Sequence, residues 1–161
     1  MKHSWAKVAM NIKTLAIGLL MSLGLSGCSP PPDPDLPEVV VYKSAICNCC
    51  RLWAELLRTA GFQVAPRNME DLDSVKRRVG VPPGKGSCHT ALVGGYFVEG
   101  HVPVEDIKRL LREHPDAKGL TVPGMPVGSP GMEASWGATE PYSVLLVARD
   151  GSTSVFARHG A

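Results

Sequence analysis

The feature that most constrains this 161-residue chain is a crowded run of cysteines placed where a strand gives way to a helix. Val39-Val40-Val41-Tyr42 is short, apolar and β-branched, and reads as a strand. It leads into Ala45-Ile46-Cys47-Asn48-Cys49-Cys50. Beyond that, Leu52, Trp53, Leu56, Leu57 and Ala60 recur at helical spacing until Gly61. Cysteines so placed meet the free amides and the positive dipole end of a helix, both of which favour thiolates.

The remaining pattern fixes the fold class. Phe62–Ala65 reads as a second strand with a turn around Pro66, and Asp71–Val79 as a short helix stopped by Gly80. Cys88–Val93 and Tyr96–Val98 read as a hairpin about Gly94-Gly95. Pro103 starts a helix over Val104–His114, with Glu105 and Asp106 in its first turn. Pro115–Pro141, rich in Gly and Pro, reads as loop; Tyr142–Ala148 and Thr153–Ala157 read as closing strands. This order predicts an α/β, thioredoxin-like sandwich over residues 39–157. A Gly/Pro/Met-rich loop and a C-terminal β-hairpin are added to it, and residues 158–161 form a tail. In such a sandwich Cys88, just before the third strand, faces the cysteines of the first helix.

The first 27 residues stand apart. They carry Lys2, Lys7 and Lys13, no acid, and an apolar run Leu15–Leu25 that is short for a membrane span. The run ends in Leu25-Ser26-Gly27-Cys28 and resembles a bacterial lipoprotein signal, in which the cysteine is lipidated and begins the mature chain. That resemblance implies a periplasmic domain anchored through Cys28, with Ser29 favouring the outer membrane. Ser29–Glu38, with five prolines and three acids, reads as part of a stiff tether over 28–38. The chain has 17 basic and 15 acidic residues, so losing the three leader lysines leaves it close to neutral. No basic block with interleaved aromatics argues for nucleic acid.

Four cysteines remain beyond Cys28, and they are hard to explain as staples. Cys49 and Cys50 are adjacent, and adjacent residues pair only in strained geometry. The cluster has one distant partner, Cys88. Clustered thiolates select Cu(I), zinc or iron–sulfur. Zinc usually draws on a C-x-x-C pair, whereas crowded sulfurs suit bridging between several Cu(I) ions. Cys47 and Cys50 do have redox-pair spacing, so a thiol–disulfide oxidoreductase stays open, as does a disulfide-stapled structural lipoprotein.

Further donors are at hand. Met125 and Met132 stand in a Gly/Pro loop, where they either plug the core or offer thioethers. His101 and His89 are candidate ligands or neighbours of a ligand. Adjacent strand residues point to opposite faces, however, so Cys88 and His89 make a weak nucleophile–base pair. Trp53 reads as a wall of the site and Trp136 as a pin for the loop. His114 reads as a solvated helix cap, and His159 as part of a disordered tail.

Cys47-Asn48-Cys49-Cys50 with Trp53, Cys88-His89-Thr90, Gly95–His101 and Val122–Glu133 together resemble the CopG-type copper-resistance family of bacterial envelope proteins, whose thioredoxin-like domain was long of unknown function. Asn48 stands where relatives often have Gly. The resemblance covers about residues 39 to 148. It implies copper held as more than one Cu(I) in a thiolate cluster, exchanging with disulfide forms. The implied ligands are Cys47, Cys49, Cys50 and Cys88, joined by His101 and by Met125 or Met132. Copper-exporting or copper-oxidising envelope proteins are the expected partners.

Overall fold

A run of β-branched residues favours a strand, and the first strand buries alternate residues fully while the others stay half-buried. In the computed structural model, which describes residues 31–160, β1 (Val39–Lys43) lies inside a seven-stranded sheet. It is followed by α1 (Asn48–Thr59), β2 (Val64–Asn68), α2 (Leu72–Val79), β3 (His89–Val93) and β4 (Tyr96–Glu99). Then come α3 (Val104–Glu113), β5 (Ala117–Thr121), β6 (Tyr142–Ala148) and β7 (Thr153–His159). The strand order is β2-β1-β3-β4-β5-β6-β7.

The first four strands carry the thioredoxin-like arrangement. β1 and β2 are parallel across the α1 crossover, β3 runs antiparallel to β1, and β3–β4 form the hairpin. β4 then pairs in parallel with β5, and β5, β6 and β7 extend the sheet antiparallel. Alternation along β3 sorts the helices onto two faces. His89 meets Trp53 of α1, while Thr90, on the other face, meets Lys76 of α2. The core joins Val41, Ala91, Val98 and Leu120 of the sheet to Trp53 and Leu57 of α1 and Ile107 and Leu110 of α3. Burial of side chains this size contributes about 1.5–3 kcal/mol each and fixes the end of the sheet from which the site projects.

Several expectations need correction. No turn forms at Pro66, which lies within β2. β2 is an edge strand, and an edge tolerates a residue with no N–H to donate. The expected loop over Pro115–Pro141 contains β5, unrecognised because Ala117-Lys118-Gly119 lacks β-formers. Gly119 is required there: a Cβ would run into the Phe97 carbonyl, and the register shifts beside it. β7 continues through Ala157 to His159, so residues 158 and 159 belong to the strand and not to a tail. His159 Nε2 lies 2.7 Å from the Asp106 carboxylate, and its ring stacks on Tyr142.

The described part of the tether segment touches the domain. Asp33 N–H donates to the Gly61 carbonyl at 2.8 Å, and Leu36 packs against the core. The leader over 1–27 and the lipidation site Cys28 lie outside the described residues. Among the described residues, no helix is long and apolar enough to cross a membrane.

Candidate metal centre

The start of α1 gathers sulfur because its cap is itself a cysteine. Cys47 is the N-cap, and its Sγ accepts the Cys50 N–H at 3.3 Å. One helical turn brings the Cα atoms of Cys47 and Cys50 to 5.4 Å, and the two are joined as a disulfide. Cys49 and Cys88 are free thiols. Cys49 Sγ is 3.5 Å from Cys47 Sγ and 4.0 Å from Cys88 Sγ. All four sulfurs lie within 4.8 Å of one another.

Cys88 also belongs to a second group. Its Sγ lies 3.0 Å from His101 Nε2 and 3.3 Å from His89 Nδ1, and these three donors again fall within 4.8 Å. The tautomer of His101 follows from its other nitrogen. Pro130 O, 2.8 Å from Nδ1, can only accept, so Nδ1 carries the proton and Nε2 turns a lone pair toward Cys88. The expectation that Cys88 and His89 diverge is corrected. β3 begins at His89, so strand alternation does not reach back to Cys88.

Burial sets the charge states. It pushes the Cys88 thiol up to about 12, with Cys49 adding to the effect, so Cys88 is a neutral thiol at ordinary pH. Burial likewise holds His89 well below the usual imidazole range, with the charges on His101 and Lys76 acting the same way. His101 is lowered by burial and partly restored by its bond to Pro130. Both imidazoles are therefore neutral, the state in which imidazole ligates metal. His89 Nε2 is buried without a hydrogen-bond partner of good geometry. Trp53 walls the site, its ring 4.4 Å from that of His89 and its Nε1–H donating to Val102 O at 2.9 Å.

The Gly/Pro/Met loop crosses the start of α1. A Cβ on Gly131 would lie 2.9 Å from Cys49 O and 3.0 Å from Trp53 N, so only glycine allows this approach. Met132, the next residue, is half-buried, whereas Met125 is 51% exposed. Trp136 does not pin the loop: it is 79% exposed. The anchors are the Pro130–His101 bond, the Gly131 contact, and Glu140, which accepts the Val127 N–H at 3.0 Å.

Sequence reasoning missed what lies beneath Cys88. Glu99 is fully buried at the end of β4, cross-strand from Thr90. It accepts Ser87 N–H at 2.6 Å, Thr90 Oγ1–H at 2.6 Å and Lys76 Nζ at 2.5 Å. Burial pushes its carboxyl up, and the contacts with Lys76 and Thr90 pull it back. The one signal was a charged residue closing an apolar strand.

The fold and this donor set define a thioredoxin-like protein with a Cys/His cluster able to coordinate a metal ion. The profile of a family described as a protein of unknown function, DUF411, matches residues 85–132. Two solved structures, forms 2 and 1 of a copper resistance protein copG, are similar over nearly their whole length. Form 2 is 45% identical, covering 78% of this chain and 99% of that one with a TM-score of 0.74. Form 1 is 44% identical, covering 79% and 100% with the same TM-score. No curated protein matches the chain. The chain belongs to the CopG family of copper-resistance proteins.

Proposed function

We propose that this chain holds Cu(I) in the bacterial envelope as a multinuclear thiolate cluster and serves copper resistance. The main support is the gathering of four sulfurs, among them Cys88, which also meets two neutral imidazoles. Soft sulfur donors with imidazole favour Cu(I), and crowded sulfurs bridge ions that accept low coordination. The similar structures are of a copper resistance protein, in line with this reading.

The chain's own residues give the copper site a redox gate. With Cys47 and Cys50 joined, two thiols are available, Cys49 and Cys88. Opening the bond takes two electrons and two protons from a dithiol reductant and yields four thiols. Copper then displaces thiol protons, including the one that burial holds on Cys88. His101, oriented by Pro130, offers Nε2. The loop carrying Met125 and Met132 shields the first turn of α1 and supplies thioethers. Anchoring through Cys28 would keep the domain in the periplasm at the outer membrane, within reach of copper-exporting or copper-oxidising proteins.

Titration of the full chain in mild detergent with Cu(I), against a competing chelator, tests the gate. Reduced chain is expected to bind at least about tenfold more tightly than chain with Cys47–Cys50 closed, because half its sulfur donors are otherwise removed. Equal affinity in both states would contradict the proposal.

A metal-independent thiol–disulfide oxidoreductase is the second reading, favoured by the closed Cys47–Cys50 pair with Cys49 Sγ 3.5 Å from Cys47. It predicts that replacing both Met125 and Met132 changes nothing. A purely stapled lipoprotein is disfavoured by the two free thiols.

A further inference from the structure

Cys88 is the one cysteine of the cluster that does not lie at the start of α1, so the centre depends on how the backbone before β3 is held. That backbone, Gly86-Ser87-Cys88, belongs to no helix or strand. Ser87 N–H ends on Glu99 Oε1 at 2.6 Å, and the Ser87 hydroxyl donates to the Gly124 carbonyl, at the start of the Met loop. Glu99 is rigid in turn. Thr90 holds its second oxygen at 2.6 Å, and Lys76 reaches both Glu99 (2.5 Å) and the Thr90 hydroxyl (3.1 Å). Two residues on, past Gly100 at φ 74°, His101 turns toward Cys88. Gly100 is confined as well, since a Cβ there would lie 2.6 Å from Ser87 Cβ and from the Val122 carbonyl.

Both Cys88 and His101 thus leave the sheet from points fixed by one carboxylate. A buried ion pair is a poor stabiliser, since apolar residues of similar volume serve a fold as well or better. Its value is directional: a carboxylate with three donors on it holds each of them in place.

We infer that Glu99, kept in place by Lys76 and Thr90, is a positioning residue of the copper centre that sets Cys88 Sγ between Cys49 and His101 by holding the Ser87 N–H. This rests on the proposed copper reading for its purpose, though not for its geometry. Glu99 touches no donor atom of the centre and acts through the backbone. Glutamine at this position keeps an acceptor for Ser87 and can still hydrogen-bond Thr90; alanine keeps neither.

The test compares wild type, Glu99→Ala and Glu99→Gln as full chains in mild detergent. Three quantities are read: the circular dichroism spectrum, Cu(I) affinity of the reduced chain by chelator competition, and alkylation of Cys88 by N-ethylmaleimide in metal-free oxidised chain, mapped by mass spectrometry. Glu99→Ala is expected to keep the wild-type spectrum, lose about tenfold in Cu(I) affinity and alkylate about tenfold faster at Cys88, the size of one lost charge-assisted hydrogen bond. Glu99→Gln is expected to return both values to within about threefold of wild type. A folded Glu99→Ala chain with wild-type affinity and alkylation overturns the inference, as does a Gln variant no better than Ala. Should Glu99→Ala fail to fold, Thr90→Val removes one donor at nearly constant shape. It is then expected to move both readouts about threefold in the same direction, and no movement overturns the inference. If wild type itself binds no Cu(I), the proposed function falls, and Cys88 alkylation in the variants alone decides the positioning role.

Discussion

At the scale of the residue, Cys88 is where the chemistry converges. It is the member shared by the sulfur group and the imidazole group, and burial keeps its thiol protonated. The buried imidazoles leave a separate mark on stability. His89 has a folded pKa well below its ordinary 6.5, so the unfolded chain takes up a proton first as pH falls. Its contribution is complete above 6.5 and is lost as pH drops toward the folded value. Melting of the metal-free chain from about pH 7 to about pH 5 is therefore expected to show a falling Tm, with a clearly shallower fall in His89→Phe. An identical slope in the variant would show that His89 is not the responsible group. The cysteines and His101 were legible as candidates because their residue types announce donor chemistry. Glu99 was not, because a lone glutamate ending a strand looks solvated until Lys76 and Thr90 are seen against it.

At the scale of the element, the start of α1, the segment entering β3 and the turn after β4 bring the donors together, and the loop crosses the start of α1 at Gly131. The β1–α1 junction could be read directly, since an apolar β-branched run followed by helical spacing leaves the cysteines nowhere but the helix start. β5 could not. Its residues have weak strand propensity, and its place is set by pairing with β4 on one side and β6 on the other. The path of the loop was equally hidden, since Gly131 meets Cys49 and Trp53 through space and not through sequence. Gly131→Ala puts a side chain at φ 83° against Cys49 O and Trp53 N. We expect it to cost about 1–3 kcal/mol in thermal or denaturant unfolding and to weaken Cu(I) binding as the loop lifts. Wild-type stability and affinity in this variant would show that the loop does not close over the cysteines.

At the scale of the whole molecule, a thioredoxin-like half (β1 to α3) supplies the clustered cysteines and histidines, and the segment between β5 and β6 approaches the start of α1 at Gly131. The chain stands with the Cys47–Cys50 disulfide closed and with Cys49 and Cys88 as free thiols. Under the proposed function, exchange between that state and a four-sulfur copper state would couple metal uptake to the redox balance around the protein. Copper bound to the folded chain should also raise Tm, by an amount that grows with the logarithm of free copper over Kd. The measurement that bears most directly on this account is the number of Cu(I) ions held per chain. It is made on the anaerobically reduced full chain against a competing chelator, beside Cys88→Ser. More than one ion per wild-type chain, falling sharply in the variant, is the predicted result. Less than one ion, unchanged by the substitution, would contradict a multinuclear centre built across both cysteine motifs.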